Sequence, residues 1–88
     1  MSQEEIIATL KKILVTDLFV EIPEQNIGPD DGLQSVLGLD SVGFLELRVL
    51  SEKRFQVQIP DEALSAEHFN SVRSVANLVQ SLRSQGRA

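Results

Sequence analysis

Ser41 is the residue whose setting marks it for chemistry. It stands in the run Gly38-Leu39-Asp40-Ser41-Val42, at the head of a segment with helical spacing. A hydrolytic serine needs a general base, usually histidine, and a third group that orients the base. Among the 88 residues there is one histidine, His68, and no cysteine, tyrosine or tryptophan. A nucleophile elbow, G-x-S-x-G, would need glycine at 39, where Leu39 stands, although Gly43 fits the other end. Nor can so short a chain build the sheet that elbow requires. Any chemical role of Ser41 is therefore one in which another protein acts on it.

The other polar clusters read more plainly. His68, beside Phe69, is expected to be a surface or half-buried side chain, while Asp30-Asp31 and Glu4-Glu5 suit a turn and a helix cap better than a metal site. The net charge is −5, with 13 acidic residues against 8 basic ones, which disfavours a phosphate backbone as partner and favours basic patches on proteins. Four phenylalanines are the only aromatic side chains, too few for a stacking platform for single-stranded nucleic acid. Without cysteine there is no disulfide, thiolate or cysteine-bound metal. No basic start with an apolar run suggests a signal peptide, and no stretch approaches membrane-spanning length. The expectation is one domain over residues 1–88, monomeric and cytoplasmic, with no membrane or nucleic-acid partner.

An all-α fold must position the serine. Ser2-Gln3-Glu4-Glu5 reads as a capping box. Ile6, Ile7, Leu10, Ile13, Leu14 and Leu18 then recur at helical spacing, giving a first helix to about Leu18 that ends before Ile22-Pro23. A long aperiodic stretch follows, with turn chemistry at Gly28-Pro29-Asp30-Asp31-Gly32. Ile22, Ile27, Leu33, Val36, Leu37 and Leu39 are expected to pin it to the core, with a short helical turn near residues 33–37. The second helix should run from Ser41 to about Arg54, capped by Asp40 or Ser41. Phe55-Gln56-Val57-Gln58-Ile59-Pro60 alternates like a strand but lacks a second strand, so an extended connector is expected. Pro60-Asp61-Glu62 and Ser65-Ala66-Glu67 read as starts of short helical turns. Asn70 or Ser71 should cap a last helix that buries Val72, Val75, Ala76, Val79 and Leu82, with a frayed tail at 84–88. The whole is a four-helix bundle: three principal helices, one short helix, and a long loop between the first two.

The second helix carries two apolar sets. Val42, Leu45 and Val49 fall on one side, and Phe44, Leu47 and Leu50 on roughly the other. One set should enter the core while part of the other stays near the surface beside Ser41, as transient docking onto enzymes requires.

Gly38-Leu39-Asp40-Ser41-Val42 resembles the G-x-D-S-L attachment motif of acyl carrier proteins. The likeness extends to Phe55 and Val57-Gln58-Ile59-Pro60-Asp61, which resemble the family's F-x-[IV]-x-I-P-D segment, and to Phe69-Asn70-Ser71-Val72, which resembles its entry to the final helix. It covers nearly the whole chain. The resemblance implies a non-enzymatic carrier on which a phosphopantetheinyl transferase attaches a 4′-phosphopantetheine arm from coenzyme A to Ser41. The arm's thiol would hold acyl or aminoacyl groups as thioesters, loaded by a ligase and presented to downstream synthase enzymes. Asp40 would cap the helix or assist the transferase; Val42, Leu45, Glu46 and Val49 would form the partner-facing surface. Val42 replaces the usual leucine, and Gly43 weakens the first turn by about 1 kcal/mol relative to alanine. Arg48, Lys53 and Arg54 make the helix less acidic than in carriers of bacterial fatty-acid synthesis, pointing to a specialised polyketide, nonribosomal peptide or lipid pathway. The alternative from another class is an unmodified helical adaptor that binds a protein through the second helix. A helix-turn-helix DNA binder is disfavoured by charge.

Overall fold

The computed structural model describes residues 2–65 and 68–85. Its helices are α1 (Gln3–Thr16), α2 (Ser41–Phe55) and α3 (Val72–Gln85), with 3₁₀ turns at Glu24–Asn26 and Asp61–Ala63. Among the described residues there is no strand, only an isolated bridge between Gly32 and Ser71. The fold is all-α. Its short fourth element takes the form of the Asp61–Ala63 turn; the turn expected at Ser65-Ala66-Glu67 lies partly outside the described residues, as does most of the tail.

The capping box at the start of α1 forms in both directions. Glu5 N–H donates to Ser2 Oγ at 3.2 Å, and Ser2 N–H donates to Glu5 Oε1 at 2.8 Å. Ile6, Leu10, Ile13 and Leu14 enter the core, with Ile7 and Leu18 packed at its margin. The helix stops at Thr16, short of Leu18 and well before Pro23. The cause is Phe19, which takes a left-handed φ of 58° and turns the chain so that Val20 N–H reaches the carbonyl of Leu14. Proline comes too late to end it.

The long loop is ordered by its own anchors. Ile27, Leu33, Leu37 and Leu39 are buried, and residues 33–37 form the expected helical turn, with Val36 and Leu37 N–H groups both bonded to the Gly32 carbonyl. Val36 departs from expectation: it is half exposed, because that turn directs Leu33 and Leu37 inward and leaves 36 outside. The loop is fastened to the start of α3 by Leu33 N–H to the Asn70 carbonyl and Arg73 N–H to the Pro29 carbonyl.

At the start of α3, Ser71 rather than Asn70 supplies the cap. Ser71 Oγ accepts from Ser74 N–H, and Ser74 Oγ accepts from Ser71 N–H at 2.8 Å. Val72, Val75, Ala76 and Val79 are buried as read from the sequence, Leu82 is partly buried, and Leu78 joins them. α1 packs mainly against α3, and α2 lies against both.

Candidate functional site

Every residue of the run Gly38–Ser41 has a distinct physical task. Gly38 sits at φ 76°, a left-handed backbone that admits glycine without a Cβ penalty, and so releases the chain from the preceding turn. Leu39 is buried and anchors the run to the core. Asp40 is extended and caps α2, its Oδ1 accepting from Gly43 N–H at 2.8 Å. Ser41 is then the first helical residue and is exposed. Asp40 is therefore the N-cap, which leaves the Ser41 hydroxyl free of that duty.

Gly43 also acquires a reason. A Cβ there would lie 2.9 Å from Leu39 Cδ2 and 3.4 Å from the capping carboxylate, so glycine lets both pack against the first turn.

α2 divides as its two apolar sets suggest. Leu47, Ser51 and Phe55 are buried, with Phe44 and Leu50 at the core's edge. Val42, Leu45 and Val49 remain 61%, 53% and 46% exposed, and Glu46 is exposed among them. The inner set is the core stripe, while the outer set forms an apolar ridge that begins one residue after Ser41. The helix continues one residue beyond Arg54, to Phe55, and closes on Gln56 in a left-handed conformation. Val57 N–H returns to the Glu52 carbonyl, the 6→1 closure of a Schellman cap.

Ser41 also borders a cleft of about 600 Å³. Phe44 and Leu45 form its α2 side, and Leu64, Ser65 and Phe69 come from the segment before α3. This cleft is not legible in the sequence, because Leu64 and Phe69 carry no periodic signal of their own; only the folding of the connector brings them opposite α2. His68, in the same segment, is half-buried, as expected.

The three cations of α2 are not alike in placement. Arg48 is turned onto the connector, with Nη1 2.7 Å from Asp61 Oδ1 and Nη2 donating to the Ile59 carbonyl at 2.6 Å. Its positive charge is therefore matched locally, and only Lys53 and Arg54 stand exposed, at the helix end far in sequence from Ser41. Of the three cations that make α2 less acidic, two therefore face solvent.

The acidic pair of the loop does structural work. Asp31 Oδ2 accepts from Gly28 N–H at 2.8 Å, and Asp30 pairs with Arg73 through Nε at 2.7 Å and Nη2 at 3.2 Å. Hydrogen bonds from Arg73, reinforced by its charge, hold the Asp30 carboxyl below the ordinary 3.8. A carboxyl depressed on folding adds stability above its unfolded pKa and loses it as pH falls through the folded value. Asp30→Asn should therefore flatten the dependence of the urea midpoint on pH below about pH 4 and leave its slope near neutrality alone. The effect should shrink in high salt, since the pair is exposed. Parallel wild-type and variant curves through the acid range would remove the pair from the acid response.

The site is thus a short helical fold with an exposed serine leading its second helix, an aspartate cap before it and an apolar ridge after it. The family model for the phosphopantetheine attachment site matches residues 8–79. An acyl carrier protein of Streptomyces coelicolor is 38% identical over 77 residues, covering 84% of this chain and 77% of the relative. Among solved structures, the fold is similar to a chain of an engineered Bradyrhizobium japonicum glycine:[carrier protein] ligase complexed with carrier protein from Agrobacterium tumefaciens and ATP. That match has a TM-score of 0.76 and 25% identity, covering 86% of this chain and 97% of that one. An acyl carrier protein from Enterococcus faecalis shares the fold, with a TM-score of 0.75 at 21% identity over 93% of this chain and 99% of its own. The chain belongs to the acyl carrier protein family: it is a phosphopantetheine-dependent carrier and not an enzyme. No helix of the described residues is long and apolar enough to cross a membrane.

Proposed function

We propose that Ser41 is the tether of this carrier, and that the ridge Val42, Leu45 and Val49, with Glu46, is where its partner enzymes dock. The observation that carries the reading is the place of Ser41: exposed, first in α2, with the cap supplied by its neighbour. The residues present fit the arm. Asp40 takes the Gly43 N–H, and the amides of Ser41 and Val42 have no carbonyl one turn earlier in the helix to bond. Those amides and the partial positive charge of the helix start favour an anionic phosphodiester on the Ser41 oxygen. When bound, 4′-phosphopantetheine supplies the thiol on which a thioester is carried. The chain's own share is to hold the attachment oxygen in reach of a transferase, neutralise the phosphodiester with backbone dipoles, and offer an apolar landing surface.

The cargo is acyl or aminoacyl. The Streptomyces relative supports the first, and the structure of a glycine:[carrier protein] ligase with its carrier protein supports a ligase as loading enzyme. Synthase enzymes would take the group onward. With Arg48 turned inward, the specialised-pathway reading rests on Lys53 and Arg54.

Incubation with coenzyme A and a broad-specificity phosphopantetheinyl transferase should raise the intact mass by one arm. No gain with a transferase active on another carrier would favour the unmodified adaptor. The docking ridge has its own test. Val49→Glu lies two turns from Ser41 on the exposed side, and such surface substitutions change stability by about 0.5 kcal/mol or less. Placing a charge in a desolvated contact should nevertheless lower the transferase kcat/KM at least about tenfold. An unchanged kcat/KM would move docking off this ridge.

A further inference from the structure

The outer face of α2 does not end with Val49. At about 100° per residue, Lys53 falls within about 20° of Val42, while the buried residues Leu47, Ser51 and Phe55 lie on the opposite side. Lys53 is exposed, and no ion pair among the described residues uses it. It stands one helical turn beyond Val49 and, from the rise of a helix, about 18 Å from Ser41. The other end of the face carries the opposite sign. Asp40 and Glu46 are both exposed there. The nearest α2 cation, Arg48, is turned onto the connector, where Asp61 and the Ile59 carbonyl meet its charge.

The exposed face thus runs from acid beside Ser41, through Val42, Leu45 and Val49, to a single base at its far end. Arg54, the other exposed cation, lies about 120° round the helix from Val42 and off this line. Such a face has a direction. Its two charged ends are further apart than the screening length at cellular ionic strength, about 8 Å, so a partner meets them separately rather than as one net charge. A groove that is basic throughout gains beside Ser41 and meets like charge at Lys53. A groove with a carboxylate opposite Lys53 gains at both ends. Like charges brought face to face suppress a wrong partner even where the apolar contacts fit.

We propose that Lys53 is a specificity-determining residue of the docking face. It selects enzymes whose groove sets a basic group near the entrance to the active site and a carboxylate about 18 Å further on, and it turns away enzymes whose groove is basic throughout. This rests on the reading of the α2 ridge as the docking surface. Carriers with a more acidic second helix, those of bacterial fatty-acid synthesis, call by charge complementarity for enzymes matched to acid along its length. Such an enzyme is the partner that Lys53 excludes.

The test uses the malonyl-coenzyme A:carrier protein transacylase of a bacterial fatty-acid synthase as probe. A broad-specificity transferase first gives the full chain its arm. Malonyl then passes from the thiol of coenzyme A to the thiol of the arm, free coenzyme A is released, and the gain is followed by mass. Lys53→Glu should raise kcat/KM about tenfold at low salt and Lys53→Gln about threefold. Both gains should vanish at about 1 M salt, where the screening length falls to about 3 Å. Arg54→Glu makes the same change in net charge off the line, and should move kcat/KM less than about twofold. Val49→Glu reports on the ridge itself. Lys53→Glu no faster than wild type, with Val49→Glu slowed, would leave the ridge in place and overturn the proposal. An equal gain in Arg54→Glu would overturn it too, because net charge rather than the far end of the ridge would then be read. If neither Val49→Glu nor Lys53→Glu moves kcat/KM, docking lies elsewhere and the ridge reading falls along with the role of Lys53.

Discussion

Ser41→Ala should abolish uptake of the phosphopantetheine arm completely while leaving the fold within about 0.5 kcal/mol of wild type, as for other surface substitutions. Each half of that expectation has its own cause. The attachment oxygen is removed, and no other group on α2 occupies its place at the first helical position. The helix start, however, is capped by Asp40, whose bond to Gly43 N–H does not involve the serine hydroxyl. Alanine is moreover the better helix former. Intact mass after incubation with coenzyme A and transferase reads the first half, and thermal unfolding reads the second. Ser35 and Ser65 line the same cleft, so a mass gain that survives in Ser41→Ala would move the tether to one of these neighbours and end the reading of Ser41. A large loss of stability together with the loss of uptake would instead make the hydroxyl a structural group.

Much of this site could be read from residue types, because it is built from local rules. A left-handed turn calls for glycine, a helix start for aspartate, and an amphipathic period for a buried stripe, and Gly38, Asp40 and Leu47 meet these demands within a few residues of one another. The two apolar sets of α2 were legible from helical spacing, whereas the choice of Val42, Leu45 and Val49 as the outer one came from their place beside Ser41 and from the resemblance to carrier proteins. What escaped depends on contacts distant in sequence. Arg48 could be placed on α2 from the sequence, but not turned inward, since its acceptors Ile59 and Asp61 arrive only when the connector doubles back. Val36 is apolar yet half exposed, because the turn at 33–37 directs Leu33 and Leu37 inward instead. The end of α1 escaped for a local reason. A phenylalanine rarely ends a helix in a left-handed conformation, so nothing local announced that α1 would stop before Leu18.

The core below the ridge sets how much alteration the carrier tolerates. Phe55→Ala should cost about 3–5 kcal/mol, the range for emptying a buried phenylalanine site. Phe55 is 1% exposed and heads the fully buried side chains by size, so little of its cavity can be refilled from solvent. It is also the last residue of α2, immediately before left-handed Gln56, and its packing fixes the direction in which the chain leaves the helix. Its backbone carbonyl keeps the hydrogen bond from Arg83 in the variant, so the loss measures side-chain packing rather than a broken link to α3. A chain of 88 residues has a total stability of about 4–13 kcal/mol at the usual figure per residue. The substitution therefore removes a large fraction of it and, at roughly 4–8 °C per kcal/mol for a domain of this size, lowers the melting midpoint by at least about 12 °C. Phe55→Leu, which keeps most of the apolar volume, should recover more than half of the difference. A drop of only a few degrees in Phe55→Ala would mean that the connector closes over the gap, and that the end of α2 is held by the Gln56 cap and Arg83 rather than by the ring.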